Sequence, residues 1–159
     1  MALPVEPIGV IRSPFKALTN MPIQPKAAAA AEGEVVVDVQ YAEGLADLDG
    51  FSHIYLIYCF HKAARTELKV IPFMDVCLRG VFSTRSPLRP NHIGLSVVEL
   101  LRVKENKLIV RGVDVLDGTP LLDIKPYIDI FDSVAESRSG WFTAGQHEVA
   151  QKRSDDRFT

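Results

Sequence analysis

Between Asp75 and Glu99 the chain holds no acidic residue, yet Arg79, Arg85, Arg89 and His92 fall there. Most of them lie in one stretch, GVFSTRSPLRPNHIGLS, from Gly80 to Ser96. Pro87 and Pro90 restrict the backbone and lower the entropy cost of presenting Arg85 and Arg89. A stiff loop bearing guanidinium groups suits carboxylate or phosphate recognition, because each group can donate two parallel hydrogen bonds. Gly94 offers a position where a ligand can approach the backbone. The plain alternative is a proline-stiffened connection with solubilising arginines.

A second stretch, DGTPLLDIKPY from Asp117 to Tyr127, sets an acid, a base and a phenol within five residues. Strand alternation puts Asp123, Lys125 and Tyr127 on one side, an arrangement suited to proton handling or substrate anchoring. A surface ion pair beside a half-buried tyrosine would look the same. A third stretch, FSHIYLIYCFH from Phe51 to His61, carries two histidines of equal parity. On a straight strand they lie about 26 Å apart and cannot share a metal. His92 and His147 lack partners at ligand spacing, so no metal site is expected.

The elements that must position these residues are short and mostly extended. Pro7 to Arg12 reads as a first strand stopped by Ser13-Pro14. Phe15 to Ala31 reads as a long loop, with one helical turn in its alanines. Gly33 to Val39 is β-branched and predicts a strand; Tyr41 to Leu48 has helical spacing. Phe51 to His61 predicts a buried central strand, and Gly80 to Ser83 a short one. His61 to Lys69 reads as turns or a brief helix, and Thr84 to Asn91 as irregular. Ile93 to Lys104 alternates, with Ile93, Leu95, Val97, Leu101 and Val103 on one face. It turns at Glu105-Asn106 and returns as Leu108 to Leu116. Asp117 to Pro120 is a tight turn and Leu121 to Ile124 a last strand. Trp141-Phe142 begins a short helix or caps the core. Many short strands with Gly/Pro turns predict a mainly β, closed or nearly closed barrel with short helices.

Composition bounds the rest. The 159 residues suit one domain, and 18 basic against 20 acidic residues give a net charge of −2. The total charge therefore does not mark a strongly basic nucleic-acid binder. Cys59 and Cys77 lack CxxC spacing and suggest a reducing compartment. The start, MALPVEPIGV, has no leader pattern, and the apolar runs are too short to span a bilayer. The cytoplasm is the expected location, with no membrane partner. No GxGxxG, GxxxxGK[ST] or HExxH motif occurs.

Taken together, IGVIRSP (Ile8 to Pro14), FSHI with Phe60-His61, the Gly80 to Ser96 stretch and Asp117 to Tyr127 resemble the TsaA-like, or TrmO, family. The resemblance runs from about Pro7 to Ser133, and GVFSTRSPLRPNHIG is its most specific part. It implies a single-sheet β-barrel methyltransferase, not a Rossmann one. It further implies a homodimer holding S-adenosylmethionine near the subunit interface. The expected activity is methylation of the exocyclic nitrogen of threonylcarbamoyl-adenosine in tRNA. On this resemblance residues 1–134 form the cofactor-binding barrel and 135–159 a C-terminal extension.

Carried over by motif, the cofactor contacts fall on Pro22, Ile23, Gln24, His61, Lys62, Arg85, Leu95, Asp117, Gly118, Thr119 and Pro120. Asp123 and Tyr127 are the candidate catalytic bases, and Arg79, Arg89 and Lys125 the candidate RNA contacts. Two other readings stay open at this point. One is a non-catalytic S-adenosylmethionine-binding module; the other is a small-molecule or metal-dependent hydrolase argued from the histidines alone.

Overall fold

A computed structural model describes residues 1–24, 28 and 31–159. The helical turn expected in the alanine run falls largely outside the described residues. Six antiparallel strands close into a barrel in the order β1-β2-β7-β6-β3-β8. These are β1 (Gly9–Arg12), β2 (Glu32–Val37), β3 (His53–Cys59), β6 (Ile93–Lys104), β7 (Lys107–Arg111) and β8 (Thr119–Pro126). Closure leaves no unpaired edge, which disposes of the aggregation hazard of an open sheet. A two-stranded ribbon, β4 (Lys69–Val70) with β5 (Arg79–Gly80), stands apart from it.

The barrel interior is filled by β-branched and leucine side chains in period-two alternation. Ile54 and Leu56 of β3, Val98 of β6, Leu108 and Val110 of β7, Val35 of β2 and Ile11 of β1 are all sealed from solvent. A second, smaller core lies outside the barrel. There Val70, Val81, Leu88 and Phe158 pack together, with Phe73 against them. This cluster pins the arginine-bearing loop on one side and the chain's C-terminus on the other.

The structure changes several sequence expectations. The strand expected over 80–83 stops at Gly80: after β5 the chain makes a 3-10 turn, Val81–Ser83, closed by the Thr84 amide donating to the Val81 carbonyl. The helical spacing after β2 becomes two 3-10 segments, Val39–Leu45 and Leu48–Gly50. The return strand β7 ends at Arg111, where Gly112 takes a φ of 88°. The expected 117–120 turn is shorter: Gly118 turns the chain with a φ of 82°, and Thr119 already begins β8. The segment after His61 carries no helix before β4. Trp141 does not start a helix; α2 spans Gln146–Gln151, and a one-turn α1 covers Asp129–Asp132.

On β6 the apolar odd positions Ile93, Leu95 and Val97 share one face, the outer one, whereas Val103 packs against the core. Ile93 and Leu95 are 44% and 48% exposed, while Gly94, Ser96, Val98 and Leu100 point inward. A register shift between Leu100 and Arg102 then breaks the parity toward the strand's end. Both faces of β6 are apolar enough that alternation alone does not say which is buried.

Candidate functional site

The end of β3, the starts of β6 and β8 and the loops beside them meet at one end of the barrel. They border an open groove of about 1400 Å³. Its lining includes Pro22, Ile23, Gln24, His61, Lys62, Arg85, Leu95 and Thr119, which are eight of the eleven residues expected to hold the cofactor. They come to this groove from four distant parts of the sequence.

Each is held by a local device. The loop after the 3-10 turn is knitted by its own hydroxyls: the Ser86 amide donates to Thr84 Oγ1 at 3.2 Å, and the Leu88 amide to Ser86 Oγ at 3.2 Å. Asn91 and His92 then take left-handed conformations in succession, with φ of 66° and 51°. His92 Nδ1 donates to the Pro87 carbonyl at 2.9 Å, and the Phe60 amide to the His92 carbonyl at 2.8 Å. The loop is thereby locked to the end of β3. Arg85 stays exposed, and its Nη1 donates to Gln24 Oε1 at 2.6 Å, joining the proline-rich segment to the arginine loop across the groove. Burial, followed by the neighbouring Lys62 charge, lowers the pKa of His61, so the imidazole is held toward its neutral form.

The C-terminal segment closes the front. Ser154 exchanges backbone hydrogen bonds with Asn20 and Met21, and its hydroxyl donates to the Leu18 carbonyl at 2.8 Å. Trp141 Nε1 donates to the Ser83 carbonyl at 2.8 Å, and the Arg79 guanidinium lies 5.5 Å from the indole centre. Trp141, Phe142 and Phe158 join Phe60, Phe73 and Phe82 as aromatic groove lining. No motif in the tail announces this; the one sequence signal is its two adjacent aromatics in an otherwise polar segment.

Inside the mouth sits a polar chain that sequence reasoning missed. Tyr58 Oη lies 2.9 Å from Ser96 Oγ, and Ser96 Oγ donates to Asp114 Oδ1 at 2.7 Å. Gly94 makes room for it: a Cβ there would lie 2.2 Å from Tyr58 Cε2 and 2.9 Å from Phe60 Cζ. The close approach expected at Gly94 is thus occupied by Tyr58, packed on its own barrel wall.

Other expected residues lie elsewhere. Asp117 turns away from the groove, accepts from the Ser13 amide at 3.0 Å and pairs with Lys16 at 2.9 Å. The Lys16 hydrogen bond, with the Ser13 amide second, holds its carboxyl below the usual range. Gly118 and Pro120 do not line the groove, although their neighbour Thr119 does. Asp123 and Tyr127 are also absent from the lining. Asp123 pairs with Lys125 at 3.5 Å on the outer side of β8, opposite Ile57 and Tyr55. The Tyr127 ring sits 5.9 Å from Tyr55, and its hydroxyl donates to Asp129 at 3.4 Å. Arg89 lines the groove, but its Nη1 is spent on the Thr84 and Ser86 carbonyls, and Arg79 is tied to Asp75. Among the described residues no cluster of three metal-ligating side chains occurs, and no helix is long and apolar enough to cross a membrane.

Residues 10–133 match the family described as the tRNA-methyltransferase O N-terminal domain. A probable S-adenosyl-L-methionine-binding protein of Pyrococcus abyssi is 50% identical, over 99% of this chain and 88% of that protein. The tRNA (adenine(37)-N6)-methyltransferase of Escherichia coli is 36% identical over 86% of this chain and 62% of that enzyme. The crystal structure of TrmO from Pseudomonas aeruginosa superposes with a TM-score of 0.77 at 40% identity, covering 91% of this chain and 65% of that one. The chain therefore spans a little under two thirds of the length of the last two.

Proposed function

The chain belongs to the tRNA-methyltransferase O family, and on that premise we propose that it binds S-adenosylmethionine in the groove at the barrel mouth. There it transfers the methyl group to the exocyclic nitrogen of a threonylcarbamoyl-adenosine in tRNA. The observation that carries this reading is the convergence of Pro22 to Gln24, His61, Lys62, Arg85, Leu95 and Thr119 on one groove. The groove suits such a ligand in kind. It has aromatic and aliphatic walls for a nucleoside base and a guanidinium for a carboxylate.

When bound, the cofactor supplies a methyl group already activated by its positive sulfur, so the protein's task is largely positioning. The locked 84–92 loop presents Arg85, the tail bearing Trp141 and Ser154 excludes water from the front, and the neutral His61 adds no competing positive charge. RNA would be drawn by the exposed Lys62 and Arg85 at the rim, which makes binding sensitive to salt.

The working unit is a homodimer. Phe82, 74% exposed, and the outer β6 residues Ile93 and Leu95 continue the groove's apolar lining onto the surface. A second copy covering this face would also finish the groove, from which Gly118 and Pro120 are excluded in a single chain. Free thiols at Cys59 and Cys77 agree with a cytoplasmic setting.

The test is incubation of the chain with S-adenosylmethionine and tRNA carrying threonylcarbamoyl-adenosine, followed by nucleoside mass spectrometry. The reading expects conversion to the methylated nucleoside. Tight cofactor binding with unmodified tRNA would instead establish the non-catalytic binding module.

A further inference from the structure

Methylation of an N–H nitrogen releases a proton, and a group in the groove that receives it would speed the step. Three acidic residues line the groove: Glu99, Asp114 and Asp155. Glu99 is paired with Arg111 at 3.2 Å, and Asp155 with Arg157 at 2.7 Å. Asp114 has no ion-pair partner among the described residues. Neither Asp123 nor Tyr127 lines the groove within one chain.

Asp114 is instead held by neutral groups. Ser96 Oγ donates to its Oδ1, and Ser96 in turn lies against the Tyr58 hydroxyl. Because an ionised carboxylate only accepts, the chain has one direction: Tyr58 donates to Ser96, and Ser96 to Asp114. Asp114's own backbone amide adds a hydrogen bond, no other described residue donates to Oδ2, and Asp114 lines the groove.

We propose that Asp114 is the general base of the methyl transfer, with Ser96 and Tyr58 as the residues that position it. This rests on the methyltransferase reading above. In the step, the nitrogen lone pair forms the new N–C bond to the methyl carbon. The C–S bond breaks and its electron pair stays on sulfur. The N–H proton passes to Asp114 Oδ2, whose carboxylate becomes a neutral acid and is later deprotonated by solvent. No oxidant, metal or further reactant is needed.

The environment of Asp114 agrees with that task. Desolvation lifts its pKa to about 6, against smaller opposing effects from the Ser96 hydrogen bond, its own backbone amide and the Arg85 charge. A base poised just below neutral pH is ionised when needed and still basic enough to take a proton. The groups facing it are Tyr58 from β3, Ser96 from β6 and Arg85 from the arginine loop. The Tyr58 phenol is driven strongly upward by burial, with the Asp114 charge second, and stays protonated.

The experiment measures single-turnover methyl transfer to tRNA against pH, together with calorimetric S-adenosylmethionine affinity, for the wild type, Asp114→Asn and Ser96→Ala. Asn keeps the shape of Asp and can still accept from Ser96, so the fold is retained. A general base contributes about 100-fold or more, so Asp114→Asn loses at least that in rate while cofactor affinity stays within about threefold. The wild-type rate falls on the acid side near pH 6, and Asp114→Asn lacks this limb. Ser96→Ala loses less rate but moves the limb to higher pH, because the ionised form has lost a hydrogen bond. An active wild type with an equally active Asp114→Asn overturns the inference alone. So does a loss of cofactor affinity that accounts for the whole rate loss. A wild type that transfers no methyl group overturns the methyltransferase reading and this inference together.

Discussion

The middle of the barrel and its mouth are made from the same strands but differ in what they point inward. In the middle, β3 and β6 contribute Ile54, Leu56 and Val98, and nothing there needs a hydrogen bond. One or two inward positions further along, the same strands contribute Tyr58, Ser96 and a glycine, Gly94. Alternation is unbroken between the two regions, so the backbone does not distinguish them. The difference is chemical: the middle gains stability by burying methyl groups, whereas the mouth spends some on a carboxylate kept out of bulk water.

The largest effect should follow from damaging the middle. Leu56→Ala should cost about 2–5 kcal/mol, read as a lower urea midpoint, with cofactor affinity preserved while the protein is folded. Gly94→Ala probes the mouth from the inside. The new methyl group collides with the Tyr58 ring, which must move and release Ser96; a loss of about 1–3 kcal/mol is expected, with weakened cofactor binding.

Asp114→Asn should reverse the sign. The folded-state pKa is raised from an ordinary 3.8 to about 6, so the folded form holds this proton more tightly than the unfolded one. The penalty is therefore fully present above about pH 6 and disappears as pH falls toward 4. By this linkage Asp114→Asn is more stable than the wild type at pH 8, by up to about 3 kcal/mol, and the gap closes on acidification. Denaturant melts at pH 8 and pH 4 check it; a gap that widens in acid would contradict the placement of Asp114. The smallest effect belongs to the outer side of β8. Asp123→Asn and Tyr127→Phe should change methyl-transfer rate and cofactor affinity by less than about twofold, since exposed pairs of this kind contribute little.

These regions also differ in how legible they were. The closed barrel follows from short β-branched runs and their turns, and the stiff 84–92 loop from its prolines. The face of β6 did not, because Ile93, Leu95 and Val97 look like core until the partner strands are known. Eight of the cofactor candidates converge as the motif comparison expects, yet the catalytic pair chosen by strand parity lies outside the groove. Parity put Asp123 and Tyr127 on one side correctly, but the side was the outer one. Asp114 gave no signal, for in GVDVLDGTP it reads as one more acid before a turn, and only its distance from Ser96 makes it distinctive. The tail was equally silent, since the contacts of Ser154 and Phe158 link residues seventy or more positions apart.

The central claim is that the barrel mouth holds S-adenosylmethionine, and calorimetric titration of that molecule into the chain tests it most directly. The account predicts saturable binding that is weakened at least tenfold, about 1.4 kcal/mol, by Arg85→Ala and untouched by Asp123→Asn. Absence of binding, or identical affinity in the wild type and Arg85→Ala, would contradict it.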